Sequence, residues 1–169
     1  MNYGLPDDQV KMIAATTYGE NRGQGDNAIT QTASSIFNRL GQHEWKNMSV
    51  PEVLQNGYAA VNNPGKNDGF SEAMSGKFAD KDSENEFKKI YARVASINRG
   101  AVEPTNAQFY FNQKEIGNLI RSKKFDFSKV EEGQGFGKFR TFHYKATGSG
   151  LPQDMKNFER QESLAPTAQ

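Results

Sequence analysis

The stretch YGENRG at residues 18–23 places a carboxylate, Glu20, between a predicted helix and a glycine-rich loop. The helix is predicted from Pro6 to about Tyr18, because proline suits a first helical turn and apolar side chains then recur at helical spacing. A second helix is predicted over residues 27–40, where the same spacing recurs and a glycine follows as a stop signal. A carboxylate between these two helices is expected to face a cleft.

Glu20 is the candidate catalytic residue. The negative end of the preceding helix dipole disfavours a charged carboxylate, and partial burial acts in the same direction. Both effects are expected to raise the pKa of Glu20, as a general acid working near neutral pH requires. The alternative, from these residues alone, is a surface glutamate paired with Arg22 near the end of a helix.

Two further helices are indicated by capping patterns. Ser49 and Glu52 have the spacing of a capping box and are predicted to open a short helix that continues to Gly57. The same pattern recurs at Ser83 and Glu86, directly before the clearest helical periodicity in the chain. These patterns predict where each helix begins.

The rest of the chain contains more loop and a little strand. The helix after Glu86 is predicted to end at Gly100, and residues 62–82 are predicted to form one long loop. Residues 107–112 and 138–145 alternate in polarity and are rich in aromatic side chains, so they are predicted to be short strands. The glycine-containing stretch between them is interpreted as a flexible rim.

These elements predict a mainly α fold with a small β element, that is, the α+β class. The chain has 169 residues, which fits one domain. We expect this domain to cover residues 1–148 and residues 149–169 to form a polar tail that is loosely ordered or docks onto a partner. Aromatic residues make up 11% of the chain and are expected to supply much of the core.

Composition excludes several classes of protein. Lys and Arg number 21 against 20 Asp and Glu, so a nucleic-acid partner is not expected. The chain has no cysteine and two histidines, which leaves too few ligands for the usual zinc site, and no cofactor is expected. No apolar run approaches the roughly 20 residues of a membrane span, and no signal peptide is visible.

The motifs around Glu20 continue along the chain in a familiar order. The sequence resembles the SleB-like, or spore-cortex-lytic, family of cell-wall hydrolases, and the resemblance covers roughly residues 10–145. The matching segments are Tyr18-Gly19-Glu20, Arg22-Gly23, Asn38-Arg39, VLQNGYAAV at 53–61, Pro104-Thr105, FYFN at 109–112 and FRTFHY at 139–144.

The resemblance implies a lysozyme-like fold that cleaves the glycan strand of peptidoglycan between N-acetylmuramic acid and N-acetylglucosamine. It also implies that Glu20 is the catalytic acid. Two positions depart from the family pattern: Gln24 replaces a frequent acidic residue, and Gln113 replaces a proline that commonly follows the FYFN-type strand. These departures concern substrate preference more than the class of reaction.

Two reactions remain open for this bond. A hydrolytic muramidase needs a second carboxylate, which phage-type muramidases place about nine positions beyond their glutamate. Here that position holds Ile29, and the nearest carboxylate, Asp26, is predicted to cap the second helix. A lytic transglycosylase needs only one carboxylate, because the muramic acid's own 6-hydroxyl attacks. The sequence and the resemblance therefore favour a transglycosylase.

Five residues are candidates for substrate contacts. Tyr58 and Tyr110 offer aromatic faces for sugar rings, and the amide of Asn112 suits an N-acetyl group. Arg22 and His143 are further candidates, although His143 also fits a structural histidine in the core.

Other functions and partners are also considered. A zinc-dependent N-acetylmuramoyl-L-alanine amidase would need more metal ligands than the chain offers. A glycan-binding structural component of a larger assembly is the non-enzymatic alternative, and the tail would suit docking in a virion. Without an export signal, a phage endolysin, released from the host cytoplasm to the cell wall, or a virion-associated lysin is expected.

Overall fold

Helices account for most of the residues that the computed structural model describes, which are 2–65 and 68–145. The helices are α1 (Asp7–Asn21), α2 (Asp26–Arg39), α3 (Val50–Gly57), α4 (Ala59–Asn62), α5 (Gly69–Ser75), α6 (Lys81–Asn98) and α7 (Gln113–Ser122). The strands are β1 (Phe109–Asn112), β2 (Val130–Glu132) and β3 (Phe139–Tyr144). Short 3-10 turns lie at His43–Trp45 and Phe127–Lys129.

Helix α1 is the centre of the helical part. It packs against α2, α5 and α6, and its side chains Ile13, Ala14 and Tyr18 have no exposed surface. A helix covered on several sides buries side chains around most of its circumference, and in α1 every residue from Ile13 to Tyr18 is buried. Its last turn is therefore held firmly, and Glu20 lies in that turn.

The three strands form one antiparallel sheet with the order β1-β3-β2. Phe109 pairs with Phe142, and Tyr110 pairs with Thr141. Because side chains alternate between the faces of a strand, Phe109 lies on one face of β1, while Tyr110 and Asn112 share the other. Tyr110 and Asn112 are thus placed on a common face by the register of the sheet.

Hydrogen bonds from the end of α2 connect the helical part to the sheet. The Asn38 amide donates to the carbonyls of Thr105 and Ala107 at 2.6 and 2.8 Å. Arg39 Nε donates to the carbonyl of Gln108 at 2.9 Å. These bonds fix the segment directly before β1, so they set the position of Tyr110.

The predicted helices and strands are confirmed in part. The structure confirms α2, the Ser49–Glu52 capping box of α3, and strands β1 and β3 within the predicted segments. Helix α1 continues to Asn21, three residues beyond the predicted end. Gly19 is therefore helical, and Glu20 lies inside the helix instead of after it.

The prediction of one long loop over residues 62–82 is wrong. The segment contains the end of α4 and the whole of α5. Helix α5 has a capping residue at each end. Asp68 accepts a hydrogen bond from the backbone of Ser71, and Gly76 adopts the left-handed conformation that ends a helix. Ala73 is buried against the core, so tertiary packing stabilises a helix too short to form alone.

The predicted start of α6 is also wrong. The helix begins at Lys81, and the cap is Asp80, whose carboxylate accepts from the backbone of Ser83 at 2.8 Å. Glu86 does not complete a capping box. It accepts a hydrogen bond from the backbone N–H of Gly23 and so ties the loop after α1 to α6.

Helix α7 and strand β2 were not predicted. Helix α7 begins directly at the end of β1, where Asn112 and Glu115 form a capping box. The FYFN strand pattern ends at Asn112, and the helix that follows is short and contains Gly117, which weakens its helical signal. Strand β2 has three residues, so it shows almost no alternation.

The structure confirms the α+β class, with mostly helices and a small antiparallel sheet. The buried core cluster is built from side chains between Val10 and Tyr144. The predicted tail at 149–169 lies outside the described residues, so the division at residue 148 stays a prediction. Among the described helices, none has the length and apolarity needed to cross a bilayer.

Candidate active site

The carboxylate of Glu20 is held between the helical part and the sheet. The hydroxyl of Tyr110 on β1 donates to Glu20 Oε1 at 2.6 Å. The backbone N–H of Ala60 in α4 donates to Glu20 Oε2 at 2.7 Å. We call these three residues the Glu20 junction. Glu20 is only partly buried, so solvent reaches the residue.

Close packing of α1 against α4 and α5 brings the Ala60 N–H to Glu20. A Cβ atom on Gly19 would lie 2.8 Å from the Cβ of Ala60 and 3.3 Å from the backbone nitrogen of Phe70. A Cβ on Gly69 would lie 3.0 Å from the Cα of Gly19. Glycine at 19 and 69 therefore lets three backbones approach closely enough to form the junction.

The pKa of Glu20 is raised from its ordinary value. Burial is the largest cause, because it disfavours the charged form. The Tyr110 hydroxyl, the Ala60 N–H and the positive charge of Arg39 oppose this effect, since each stabilises the carboxylate. The predicted direction of the shift agrees with the structure. A carboxyl with a raised pKa can retain a proton to donate.

Arg22 does not pair with Glu20. Its guanidinium lies 3.5 Å from the Glu72 carboxylate and 5.1 Å from the centre of the Tyr18 ring. The Tyr18 hydroxyl also donates to Glu72 at 2.8 Å. Arg22 therefore connects the end of α1 to α5, and the alternative of a Glu20–Arg22 surface pair is wrong. The predicted contact of Arg22 with a substrate has no support in this geometry, because the Arg22 guanidinium is paired with Glu72.

Tyr58 does not offer its face to a sugar. It is 1% exposed, and its hydroxyl shares a 2.8 Å hydrogen bond with Ser35. The Arg39 guanidinium lies 4.9 Å from the centre of its ring. The prediction of a substrate contact is wrong in this structure, because core packing covers the ring. The Tyr58 ring instead supports Tyr110, with the two ring centres 6.4 Å apart.

Tyr110 is brought to the Glu20 junction, together with two aromatic neighbours. Its ring meets Phe136 and Phe139 edge-on, at centre distances of 5.5 and 5.7 Å. Phe139 is only partly buried. The loop that carries Phe136 is bonded to α2 through Asn27, which donates to the Gly135 carbonyl at 3.1 Å. Partly exposed aromatic surface therefore lies near the Glu20 carboxylate.

Asn112 lies on the same face of β1 as Tyr110, and its side chain is hydrogen-bonded to the first turn of α7. Its Oδ1 accepts a hydrogen bond from the Glu115 N–H at 2.9 Å. Its Nδ2 makes no hydrogen bond with the residues that the structure describes. The amide nitrogen is therefore free to contact a substrate, although Asn112 also has a capping role that sequence analysis did not assign.

His143 is not brought to Glu20. Its Nε2 lies 3.3 Å from a carboxylate oxygen of Glu131, and its Nδ1 is buried and makes no hydrogen bond with the described residues. It lines a different cavity, together with His43, Tyr144 and Tyr3 near the end of α2. This position agrees with the alternative of a structural histidine more than with a substrate contact.

Asp26 does not serve as a second carboxylate of the site. It is the first residue of α2, and its carboxylate pairs with Lys89 at 2.9 Å. The prediction that it caps the helix is wrong, because Gly25 occupies the N-cap position. Ile29 is buried in the core.

Sequence analysis missed two groups near Glu20. The first is the Ala60 N–H, which has no signal in the sequence because any residue carries one. The second is Glu115, whose pKa is raised by burial and by the negative charge of Glu20, while the Asn112 N–H lowers it. The spacing Asn112-x-x-Glu115 is a capping-box pattern and could have located it.

Within residues 2–65 and 68–145, no three His, Asp or Glu side chains converge as a metal site would require. No family model, curated protein or solved structure matches this chain.

Proposed function

We propose that this protein cleaves the glycan strand of peptidoglycan between N-acetylmuramic acid and N-acetylglucosamine, as a lytic transglycosylase with Glu20 as its acid. The observation that carries the proposal is the Glu20 junction. A carboxyl of raised pKa lies at the meeting of helix and sheet, accessible to solvent and held by two hydrogen bonds. Such a carboxyl is what protonation of a glycosidic oxygen requires.

The first step is protonation of the leaving oxygen. Glu20 donates its proton to the glycosidic oxygen while the bond to the anomeric carbon of the muramic acid breaks. Positive charge develops on that sugar, and negative charge remains on Glu20. The Tyr110 hydroxyl and the Ala60 N–H already point at the carboxylate oxygens, so they stabilise this charge without reorganising.

The second step uses the same carboxylate as a base. Ionised Glu20 takes the proton from the 6-hydroxyl of the muramic acid, and that oxygen bonds to the anomeric carbon. The product is a 1,6-anhydro sugar, and Glu20 is protonated again. This route needs no water and no second carboxylate.

A lysozyme-like fold and membership of the SleB-like family are part of this proposal. They are supported by contacts that join the segments of the resemblance to one another and to Glu20. Asn38 and Arg39 hold the chain next to the Pro104-Thr105 segment, where Thr105 Oγ1 donates to Gln31 at 2.8 Å. That chain leads into β1, whose Tyr110 contacts Glu20. We further propose that the protein reaches the cell wall as a phage endolysin or within a virion.

Zymography on purified peptidoglycan tests the role of Glu20. Wild type is expected to clear the gel. Glu20→Gln is expected to leave it intact, because the side-chain amide of glutamine does not donate a proton as a carboxylic acid does. Glu84→Gln, on an outer face of α6 where Glu84 pairs with Lys81, is the matched control and should clear like wild type. Equal clearing by wild type and Glu20→Gln would show that the assignment is wrong.

Mass spectrometry of the released fragments tests the type of reaction. A transglycosylase releases mainly 1,6-anhydro ends, and a muramidase releases hydrated reducing ends. Hydrated ends alone would contradict the transglycosylase. An amidase would instead release stem peptides and lose activity with a chelator. A glycan-binding structural protein would bind peptidoglycan without releasing either product.

A further inference from the structure

Two phenylalanine rings beside Tyr110 lie outside the core of the protein. Phe136 and Phe139 stack on each other, with ring centres 5.2 Å apart and ring planes at 27°. Phe136 is buried, yet among the described residues neither ring belongs to the core cluster or to the partly buried side chains that pack against it. Aromatic surface that the core does not use, next to the Glu20 junction, is typical of a binding site.

The three ring centres show which part of Phe139 a ligand can reach. Tyr110 lies 5.5 Å from Phe136 and 5.7 Å from Phe139, so the three centres form an almost equilateral triangle. Tyr110 therefore lies beside the stacked pair, because a ring over the far face of Phe139 would be much more distant from Phe136. We call the face of Phe139 that points away from Phe136 its outer face. Neither aromatic neighbour covers this face, and Phe139 retains exposed surface.

A tight hairpin holds the Phe139 ring in place before any ligand binds. Phe136 and Phe139 exchange two backbone hydrogen bonds, of 3.0 and 2.8 Å, across a two-residue turn. The turn begins at Gly137, whose φ of 52° is the positive value that such a hairpin turn favours. Asn27 of α2 donates to the Gly135 carbonyl at 3.1 Å and anchors the hairpin to the helical part. A ring that is already fixed loses little freedom on binding, so its contact contributes more affinity.

The register of the sheet places an amide donor beside the same ring. Asn112 of β1 pairs directly with Phe139 of β3, so their side chains leave the same face of the sheet with Cβ atoms about 5 Å apart. Tyr110 shares this face, and its hydroxyl lies 2.6 Å from Glu20. Asn112 Oδ1 caps α7, whereas Nδ2 makes no hydrogen bond with the described residues. Direct contacts thus lead from Glu20 through Tyr110 to Phe139, with an available N–H beside them.

We propose that Phe139 and Asn112 form a subsite for an N-acetylhexosamine ring of the glycan strand, next to the bond that Glu20 cleaves. This inference rests on the proposed function. The C–H bonds on one face of a pyranose ring are weakly positive, and they pack against the negative face of an aromatic ring, here the outer face of Phe139. Asn112 Nδ2 donates to the carbonyl oxygen of the acetamido group. Phe139 provides affinity, and Asn112 provides selectivity for an N-acetylated sugar.

Binding is measured by calorimetry on the full chain carrying Glu20→Gln, so that the probe is not cleaved. The probe is a soluble hexamer of β-1,4-linked N-acetylglucosamine. Adding Phe139→Leu keeps an apolar side chain but removes the flat ring, and should weaken binding about tenfold. Adding Phe139→Tyr keeps the ring and should leave the dissociation constant within about twofold.

Phe127→Leu is the matched control in the same background. Phe127 is also only partly buried, and its ring packs against Phe125 and Phe142 on the opposite face of the sheet. This change should leave binding unchanged, and melting temperatures of both leucine variants show whether the fold is retained. Unchanged binding in Phe139→Leu would overturn the proposal, and so would an equal loss in both leucine variants.

A second probe tests the acetamido contact without any change at Phe139. A β-1,4-linked glucose hexamer has the same backbone with a hydroxyl in place of each acetamido group, and should bind about fivefold more weakly or worse. Asn112→Asp keeps the oxygen that caps α7 but, when ionised, has no N–H to donate, so it should remove most of this preference. Equal binding of the two hexamers, or a preference that survives Asn112→Asp, would contradict the assigned contact.

Failure of the subsite and failure of the proposed function give different results. Wild type that cleaves peptidoglycan, together with normal hexamer binding by Phe139→Leu, would overturn the subsite and leave the proposed function intact. Wild type that releases no glycan fragments would contradict the proposed function, even where the hexamer binds through Phe139 as expected.

Discussion

At the scale of single residues, Glu20 combines opposing influences on one proton. Burial favours the neutral acid, while Tyr110, Ala60 and the charge of Arg39 favour the carboxylate. A general acid that later acts as a base must exchange its proton readily in both directions. Because these influences oppose one another, the pKa of Glu20 is raised, but by less than burial alone would raise it.

Tyr110→Phe is expected to shift the pH dependence of cleavage. The Tyr110 hydroxyl stabilises ionised Glu20, so its loss raises the Glu20 pKa further. Glu20 then stays protonated to higher pH, and the basic limb of the pH–rate profile moves to higher pH. The maximal rate should fall by about 10- to 150-fold, because a hydrogen bond to a charged group contributes about 1.5–3 kcal/mol. Rates of peptidoglycan solubilisation across pH measure both effects.

Tyr91→Phe is the control for this experiment. Tyr91 lies on α6 and packs edge-on against Phe87, and its hydroxyl makes no hydrogen bond with the described residues. Removing that hydroxyl should leave the profile unchanged. A Tyr110→Phe profile that superimposes on wild type would contradict the role assigned to the hydroxyl.

Glu20→Gln is expected to change how stability depends on pH. The folded pKa of Glu20 is raised, so the folded state binds the proton more tightly than the unfolded state does. Wild type therefore loses stability as pH rises from the unfolded pKa, about 4.3, through the higher folded pKa. Glutamine does not ionise and avoids this loss.

Urea unfolding at several pH values measures this difference. Glu20→Gln should be more stable than wild type near neutral pH, and the gap should narrow below the unfolded pKa. If the difference in the free energy of unfolding is the same at every pH, the ionisation of Glu20 does not destabilise the folded state.

At the scale of elements, the close approach of helices builds the site. Helices α4 and α5 reach Glu20 because glycines at 19 and 69 leave space for backbone atoms. The sheet reaches Glu20 from the other side, through Tyr110. A small displacement of any one of these elements would separate Glu20 from one of its donors.

Gly19→Ala is expected to destabilise the fold and lower activity. The added methyl group would meet the Ala60 Cβ at 2.8 Å, and overpacking of this kind costs about 1–3 kcal/mol. Gly117→Ala in α7 is the matched control, since its nearest neighbours are the flexible end of the Arg121 side chain. That change should stabilise the protein by about 0.5–1 kcal/mol.

Thermal unfolding of the two variants, with peptidoglycan cleavage assayed alongside, measures these effects. Equal changes in the free energy of unfolding of the two variants would show that the close contact at Gly19 does not prevent a side chain at this position.

At the scale of the whole molecule, aromatic rings fill the space behind the sheet. Rings on the face of the sheet opposite Tyr110 pack against one another at centre distances between 4.9 and 6.1 Å. They are Phe109, Phe111, Phe125, Phe127 and Phe142. The expectation from composition, that aromatic residues supply much of the core, is confirmed on this side of the fold.

A chain that ends after residue 148 is expected to keep its fold and its activity on purified peptidoglycan. Among the described residues, the core cluster extends from Val10 to Tyr144, and the Glu20 junction lies within the same range. Its melting temperature should stay within about 2–4 °C of the full chain, the shift that about 1 kcal/mol produces at this size. Calorimetry and zymography measure the two properties, and loss of either would contradict the predicted domain boundary.

The sequence by itself determined the elements whose signals are local. Capping residues and helical periodicity predicted α2 and α3, and alternation of aromatic residues predicted β1 and β3. Glu20 was located from its neighbours, and the direction of its pKa shift followed from an expected burial. These predictions succeed because helix caps, strand alternation and turn glycines act over a few residues.

Only the tertiary structure decided which groups meet Glu20. Ala60 is 40 residues away and Tyr110 is 90, and the backbone N–H of Ala60 leaves no trace in a sequence. Burial of Tyr58 depends in the same way on packing between distant segments. Local propensity cannot encode such contacts, because they exist only after the helices and the sheet have packed together.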